Sequence, residues 1–299
     1  MAQAFATFQE ELEDILREIT LRAYAKINLT LEVKGTRPDG YHEISTIFQS
    51  IALHDKITLQ EADDIELEVK GVQGLRGPEN LAWQAALLLR ESYPFRGVRI
   101  VLEKNIPVAA GLGGGSSDAA AVLVGINYLF DLGLTPGALA HLGERLGADV
   151  PFCVLGGTAL GTGKGERLLI LPPPPRLWLV IVKPSFSIST RKIYAGWDAG
   201  IWCEDFEVPR EKEALAALYR GDREALIASL GNTLEKVTFA LYPEVKVIKG
   251  SLLDLGAEKA VLCGSGPAVF GVVPSRTEAE RIARELKPRY PETFVTHTI

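Results

Sequence analysis

The chain has 299 residues, of which 47% are hydrophobic and 23% are charged, and its formal net charge is -6. This composition is that of a globular protein of one or two domains, long enough to bury a core without disulfides. The acidic balance and the lack of a basic run argue against nucleic acid as a partner.

No apolar run reaches the roughly 18 residues of a membrane span, and the acidic N-terminus is unlike a secretory signal. The three cysteines show no metal or redox spacing. We therefore expect a soluble, cytoplasmic protein.

The first predicted elements are a helix and a series of strands. Apolar residues at helical spacing predict an amphipathic helix over residues 5–19, in front of the main fold. From Leu21 to Val33 apolar and polar residues alternate without error. This alternation predicts a strand with one buried face, and it puts Lys26 and Asn28 on the opposite face. Further strands are predicted over residues 43–53, 56–60, 65–69 and 98–103, and a helix over 80–91.

A glycine-rich loop follows. Residues 111–118 read Gly-Leu-Gly-Gly-Gly-Ser-Ser-Asp, and an apolar helix is predicted from Asp118 to Phe130. Glycine allows positive φ angles and close approach of a ligand to the backbone, and the unpaired N–H groups of a helix N-terminus bind anions. Ser116 and Ser117 add hydroxyl donors, and either one could cap the helix. The pattern favours a loop that holds the phosphates of a nucleotide; the alternative interpretation is a flexible hinge.

Two familiar nucleotide loops are excluded by their spacing. The Walker pattern needs Gly-Lys followed by Ser or Thr, but the single Gly-Lys pair, Gly163-Lys164, is followed by Gly165. The dinucleotide pattern needs a third glycine where this chain has Ser116. The loop therefore belongs to a less common class of phosphate site.

The rest of the chain predicts a second domain. Thr135 and Pro136 are typical of an N-cap and a first helical position, and Gly147 can end that helix. Beyond four prolines the pattern changes, which indicates two domains that meet near residue 165. The order of elements there suits helices covering one face of an antiparallel sheet. The predicted elements are a hairpin over 156–171, strands at 177–182, around 264–266 and from 293, and a helix over 277–286.

Three segments together resemble the GHMP family of small-molecule kinases. They are residues 25–29 (Ala-Lys-Ile-Asn-Leu), 107–120 (PVAAGLGGGSSDAA) and 264–268 (Gly-Ser-Gly-Pro-Ala). A fourth segment, residues 37–43 (RPDGYHE), resembles the substrate loop of those members that act on a cytidine diphosphate derivative of methylerythritol. The resemblance begins near residue 20 and continues to the end of the chain.

The resemblance implies a fold and a reaction. The implied fold is α+β, a two-domain GHMP-kinase-like fold. We expect an ATP-binding α/β domain over 20–165 and a ferredoxin-like α/β sandwich over 166–299, with the active site in the cleft between them. The extra helix over residues 1–19 is a departure from the family. The implied reaction would transfer the γ-phosphoryl group of ATP to the tertiary 2-hydroxyl of the methylerythritol moiety, a step of non-mevalonate isoprenoid biosynthesis. The cofactors would be ATP and Mg²⁺, the partner a small molecule, and the assembly a monomer or weak homodimer.

The resemblance also implies a catalytic pair. Asp149 matches the family's catalytic aspartate, which accepts the proton of the substrate hydroxyl, and Lys26 matches its partner lysine. A cation there keeps a carboxylate ionised and offsets negative charge on the transferred group. Asn28, on the same strand face as Lys26, is expected to hydrogen-bond substrate or to orient the pair of Lys26 and Asp149. From the strand pattern alone, Lys26 and Asn28 are more simply explained as solvent-facing residues. Asp149 alone is ambiguous, because an aspartate between a helix end and a proline is also common turn chemistry.

The remaining implied contacts divide between substrate and nucleotide. Tyr41 and His42 match cytidine-recognition residues, and Tyr194 is the candidate for a second aromatic contact, because stacking accepts any base while a histidine can read its edge. For Tyr41 the alternative is a hairpin residue packed on its neighbour. Gly264 is either a backbone approach to substrate or a tight turn. The implied nucleotide contacts are Lys104, Asn105, Pro107, Ala109, Ala110, Gly111, Leu112, Gly113, Gly114, Gly115, Ser116 and Ser117. For Lys104 and Asn105 the alternative is an ordinary charged strand end. The sequence shows no group of carboxylates suited to bind Mg²⁺, so we predict no protein ligand for the metal.

Two other functions stay open from the sequence. One is a GHMP kinase of mevalonate or homoserine type, which gives no obvious purpose to residues 39–42. The other is a non-catalytic ligand sensor on the same fold, which needs neither Lys26 nor Asp149.

Overall fold

The computed structural model describes residues 18–72, 74, 75, 77–204 and 207–299. The predicted helix over residues 5–19 lies outside the described residues, apart from its last two positions, which begin a strand. The strands are β1 (Glu18–Thr36), β2 (His42–Glu61), β3 (Ile65–Lys70), β4 (Val98–Glu103), β5 (Thr158–Gly163), β6 (Arg167–Ile170), β7 (Trp178–Lys183), β8 (Gly231–Asn232), β9 (Lys259–Leu262), β10 (Val269–Val273) and β11 (Glu292–His297). The helices are α1 (Leu81–Ser92), α2 (Gly114–Leu129), α3 (Pro136–Gly143), α4 (Val150–Leu155), α5 (Thr190–Asp198), α6 (Glu211–Arg220), α7 (Arg223–Ser229), α8 (Glu235–Leu241), α9 (Pro243–Asp254) and α10 (Arg276–Leu286).

The chain divides into two compact units that interleave along the sequence. The first unit contains His54–Asn105, Gly115–Leu155 and the described start of the chain up to Ala23, and the second contains Tyr24–Leu53, Ile106–Gly114 and Gly156–Ile299. The long strands β1 and β2 contribute residues to both units. The contiguous domains 20–165 and 166–299 remain a prediction.

In the first unit, apolar helices pack on a small sheet. Strand β4 pairs in parallel with β3 and antiparallel with the end of β2, over residues 56–61. Ile57, Leu59, Ile100 and Leu102 are fully buried in one core with α1 and α2. Helix α2 is apolar on most of its surface, which is why nine of its residues are buried.

Local sequence signals account for the helix starts of this unit. The Asn80 side chain accepts a hydrogen bond from Ala82 N (2.9 Å) in front of α1. Thr135 accepts one from Ala138 N (3.2 Å) in front of α3, which confirms the predicted N-cap. Helix α3 ends at Gly143, earlier than the predicted Gly147.

The second unit contains a four-stranded antiparallel sheet in the order β11-β7-β10-β9. Val180 and Val182 of β7 lie in one core with α9 and α10. The alternate residues Leu179 and Ile181 lie in another core, to which α6 and α7 contribute. The prediction that helices cover one face is therefore incomplete, because both faces are buried. Continuous burial of this kind suits the uninterrupted apolar run in β7.

Strand β1 departs from its predicted pattern. Alternation predicts one buried face, but every residue from Ala25 to Leu31 is buried. In the second unit the polar side chains of this stretch meet other protein groups instead of water. The predicted strands over 43–53 and 56–60 are one continuous strand, β2. In the part of the chain that the structure describes, no helix is long and apolar enough to cross a membrane.

Candidate active site

The glycine-rich loop consists of alternating left-handed residues that lead into a helix. Ala109, Gly111 and Gly113 have φ angles of 51°, 81° and 70°, the region that glycine adopts without a steric penalty. Helix α2 begins at Gly114, four residues before the predicted start. Ser116 and Ser117 are therefore within the first helical turn, and the prediction that one of them caps the helix is wrong. The N–H groups of residues 114–117 have no partner within the helix itself and face its N-terminal end.

The loop packs against the backbone of residues 263–268, where the sequence places its last family segment. A methyl group on Gly111 would overlap the carbonyl oxygen of Cys263. Ala268 N donates to Ala110 O over 3.2 Å. Gly111 is therefore needed for steric space as well as for its backbone conformation. Gly264 lies at the same contact, because a methyl group on it would be 3.2 Å from Gly111 O.

Lys26 approaches the loop from strand β1. Lys26 N donates to Leu112 O over 2.9 Å, and a methyl group on Gly113 would lie 2.9 Å from Lys26 Cγ. The Lys26 side chain is 4% exposed, so the alternative of a solvent-facing strand residue is wrong. A buried cation needs anionic or polar company.

Asn28 continues the polar contacts of Lys26 into the sheet. Lys26 Nζ donates to Asn28 Oδ1 over 3.0 Å, and Asn28 Nδ2 donates to Thr46 Oγ1 over 2.7 Å. Thr46 Oγ1 in turn donates to Thr30 O over 2.6 Å. Asn28 is 1% exposed, so it is not a solvent-facing residue either. This chain of hydrogen bonds holds the amide oxygen of Asn28 toward the ammonium and fixes the direction of both side chains.

Asn232 holds the Gly264 turn, and the sequence reasoning missed it. Its Nδ2 donates to Leu262 O (3.0 Å) and to Gly264 O (2.7 Å), and its Oδ1 accepts from Leu234 N (2.9 Å). Asn232 is fully buried, so these bonds are its compensation for desolvation. Asn232 lies in β8, a two-residue strand beside β1, and no local sequence pattern marks it.

Cys263 is excluded as a nucleophile by its surroundings. Burial raises the pKa of the Cys263 thiol to about 12, and the nearby Lys26 charge offsets burial only in part. Since the thiolate is the reactive form, this residue acts as a small apolar side chain.

The residues predicted to bind cytidine lie in two different environments in the second unit. Tyr41 is 59% exposed, and Lys164 Nζ lies 4.6 Å from the centroid of its ring. His42 is buried and stacks on Tyr194 with the ring centroids 4.5 Å apart. Its Nε2 lies 2.8 Å from Asp198 Oδ1. Asp198 is a second residue that the sequence reasoning missed, although it lies one helical turn after Tyr194 on α5 and so shares its face.

In the first unit, Lys104 is buried between two carboxylates. Its Nζ lies 2.5 Å from Asp55 Oδ2 and 2.7 Å from Asp118 Oδ2. Burial lowers the pKa of Lys104, but the charges of Asp118 and Asp55 outweigh it and raise the pKa overall. Asn105 joins the group, since its backbone N donates to Asp55 Oδ1 over 2.5 Å. The ammonium therefore has a structural use, and the contact of Lys104 and Asn105 with ATP remains a prediction.

Within this cluster, the carboxyl of Asp118 has a strongly shifted pKa. Burial raises its pKa to about 7, Asp55 adds to the rise, and Lys104 opposes it. Its Oδ1 atom is buried without a hydrogen-bond partner among the described residues. Asp118 is in the second turn of α2, so the cluster joins the start of that helix to the end of β4.

Asp149 immediately precedes α4 in the first unit. Its carbonyl accepts the first hydrogen bond of that helix, from Cys153 N over 3.1 Å. Ser117 Oγ lies 3.3 Å from Cys153 Sγ in the same unit. Within the second unit the structure brings together Lys26, Asn28, Gly264 and residues 111–113 of the loop. The pairing of Lys26 with Asp149 remains a prediction.

Comparisons with known proteins agree with the resemblance noted in the sequence. The family model of the GHMP kinases N terminal domain matches residues 80–157, and that of the GHMP kinases C terminal matches residues 214–292. The 4-diphosphocytidyl-2-C-methyl-D-erythritol kinase of Moorella thermoacetica is 60% identical over 94% of this chain and 99% of its own. The protein of the same name from Bacillus pumilus is 44% identical over 93% and 96% of the two chains.

Solved structures give the same result. A crystal structure of a 4-(cytidine 5'-diphospho)-2C-methyl-D-erythritol kinase superposes with a TM-score of 0.78 at 37% identity, over 94% of this chain and 99% of its own. A mevalonate kinase of L. major reaches a TM-score of 0.71 at 17% identity, over 94% and 97% of the two chains, a likeness of fold alone. The predicted fold class is thereby confirmed, and the chain belongs to the GHMP kinase family, within the group of 4-diphosphocytidyl-2-C-methyl-D-erythritol kinases.

Proposed function

We propose that this protein transfers the γ-phosphoryl group of ATP to the 2-hydroxyl of 4-diphosphocytidyl-2-C-methyl-D-erythritol. The observation that carries the proposal is the contact between the buried Lys26 and the loop at Gly113. A fixed cation beside a helix N-terminus is suited to negative charge that moves between two groups. The relatives that bear the name of this activity match nearly the whole chain.

The nucleotide phosphates would bind at the start of α2. The N–H groups of residues 114–117 and the Ser116 and Ser117 hydroxyls are donors suited to phosphate oxygens. The left-handed loop residues allow the ligand to approach the backbone without meeting a Cβ atom. The residues present therefore fit a polyphosphate. Mg²⁺ would arrive with ATP and would neutralise charge on the transferred group. Among the described residues, no cluster of three acidic, His or Cys side chains could hold a metal.

Lys26 and Asp149 would share the chemical step. Asp149 accepts the proton of the acceptor hydroxyl as its oxygen bonds to the γ-phosphorus and the bond to the β-γ bridging oxygen breaks. Lys26 stabilises the negative charge that is spread over the transferred group. Asn28 keeps the ammonium in place, because its Oδ1 accepts from Lys26 Nζ.

The cytidine end of the substrate would bind at Tyr41, His42 and Tyr194. The exposed Tyr41 ring offers a face for stacking, and Lys164 adds a positive charge beside it. The mutation Tyr41→Ala should raise KM for the cytidyl substrate about fivefold or more, the loss of one stacked base, and change KM for ATP little. Equal changes in both constants would remove Tyr41 from the cytidine site.

One assay separates the proposed function from its alternatives. Release of ADP is measured with Mg-ATP and, in turn, the cytidyl substrate, mevalonate and homoserine. We expect turnover with the cytidyl substrate. Turnover with mevalonate or homoserine instead would point to another GHMP kinase, and silence with every acceptor would favour a ligand sensor.

The role of Asp149 has its own test. Asp149→Asn should abolish turnover while ATP binding, followed by calorimetry, stays within about threefold of the wild type. A collapse of ATP affinity would mean that the residue serves the nucleotide site and not the proton transfer. We also propose that the protein is cytoplasmic and is a monomer or weak homodimer; sedimentation at two concentrations would test the oligomeric state.

A further inference from the structure

The His42 ring is held from two sides in the second unit. One side is the stack on Tyr194, with centroids 4.5 Å apart and planes inclined by 30°. The other is the contact of Nε2 with Asp198 Oδ1 at 2.8 Å. The His42 side chain is 7% exposed and that of Asp198 is 48% exposed. A half-exposed carboxylate therefore contacts a ring that is almost wholly buried.

An aspartate in this position imposes a direction on the hydrogen bond. An ionised carboxylate has acceptor sites only, so the shared proton must be on His42 Nε2. A neutral imidazole has one N–H and one lone pair, and Nδ1 is then the acceptor. Thr36 Oγ1 also donates to Asp198 Oδ1, over 3.3 Å, which helps to hold the carboxylate. Among the described residues, none makes a hydrogen bond to His42 Nδ1, so the hydrogen-bonding capacity of this atom is not used within them.

We propose that Asp198 is a specificity-determining positioning residue, which fixes His42 in the Nε2–H tautomer so that Nδ1 accepts a hydrogen bond from the exocyclic amino group of cytosine. The inference rests on the proposed function, and it explains which pyrimidine is accepted. Cytosine presents an amino donor at C4, whereas uracil presents a carbonyl acceptor there. A lone pair on Nδ1 attracts the first and repels the second. Stacking on Tyr41 cannot make this distinction, because every base has a π-face.

The test measures tautomer and specificity separately. The chain has four histidines, so ¹⁵N-histidine labelling gives few signals, and His42 is assigned by its loss in His42→Gln. At pH 8 the wild type should show a pyrrole-type Nε2 and a pyridine-type Nδ1 at His42. In Asp198→Asn, the amide can either donate or accept, so both neutral tautomers should appear. Asp198→Glu retains a carboxylate and should restore the wild-type pattern.

Specificity is measured as the ratio of kcat/KM for the cytidyl substrate to that for its uridyl analogue. Asp198→Asn should lower this ratio about tenfold, the value of one hydrogen bond, without changing KM for ATP. Asp198→Glu should restore most of the wild-type ratio. Protonated Nδ1 in the wild type, or an unchanged ratio in Asp198→Asn, would overturn the inference. Absence of wild-type turnover with the cytidyl substrate would instead refute the proposed function itself, whatever the tautomer.

Discussion

The Asp118 carboxyl should make the stability of the first unit depend on pH. Burial raises its pKa from the ordinary 3.8 to about 7, so between these values the folded protein binds a proton that the unfolded chain has lost. Stability falls with rising pH wherever the folded state binds more protons. The contribution of Asp118 is therefore present at low pH and is lost as pH rises toward and through about 7. Above pH 7, the Asp55 and Asp118 carboxyls both contact the single positive charge of Lys104.

The magnitude follows from the interval between the two pKa values. Each pH unit in that interval changes the free energy of unfolding by about 1.4 kcal/mol. From pH 5.5 to the upper pKa is roughly 1.5 units, so the ionisation of Asp118 should cost the protein about 2 kcal/mol across that range. Asp118→Asn is close in shape and uncharged at every pH. Relative to the wild type, the variant should gain about 2 kcal/mol between pH 5.5 and pH 7.5.

The assay is urea unfolding followed by circular dichroism at both pH values. Asp63→Asn in the same unit is the matched control, since Asp63 is 81% exposed and its loss should change the free energy of unfolding by less than about 0.5 kcal/mol at either pH. If the difference between Asp118→Asn and the wild type is the same at pH 5.5 and 7.5, then Asp118 is ionised throughout. The argument from burial would then be refuted.

Three further substitutions test other parts of the structure. Gly111→Ala should lower thermal stability and raise the Kd for ATP at least tenfold, because the added methyl group meets the Cys263 carbonyl. The control Gly137→Ala in helix α3 should be neutral or stabilise by up to about 1 kcal/mol. Retained ATP affinity in Gly111→Ala would contradict the contact. Asn232→Asp should cost about 2 kcal/mol or more in urea unfolding, since a carboxylate cannot donate to two carbonyls, and an unchanged midpoint would refute this role. Lys104→Met should cost about 3–5 kcal/mol at pH 7.5, above the pKa of Asp118, by leaving two buried carboxylates without a cation; combined with Asp118→Asn, most of that loss should be recovered, and simple additivity would argue against the coupling.

Much of the fold was predictable because local patterns determine it. The alternation in residues 21–33 predicts β1, and the Thr135-Pro136 pair predicts the start of α3, since both signals act over a few residues. Asp198 was within reach of the same reasoning, because a residue four positions after Tyr194 on a helix lies on its face. The family segments also indicated which residues to examine.

The parts that escaped prediction depend on contacts between distant residues. Alternation cannot reveal that the polar face of β1 is buried, because β2, which supplies Thr46, lies beyond a turn. Lys104 finds its two partners 49 and 14 positions away. Asn232 belongs to a two-residue strand that exists only through its neighbour β1. In each case tertiary packing decides the role of the residue, and packing has no local signature.

The contacts around the loop give a physical reason why the family segments occur together. Residues 25–29, residues 111–113 of the loop and residues 264–268 are far apart in sequence, yet in the second unit each limits the others. Lys26 donates from its backbone to Leu112 O, and Gly111 leaves the space that the Cys263 carbonyl fills. Gly264 lies against Gly111 O and Lys26 Nζ. A larger residue at either glycine would therefore displace the lysine or the loop, and the cation would no longer lie against residues 112 and 113. The three segments form one structural element, and the specificity of the combination comes from this mutual steric requirement more than from any segment alone.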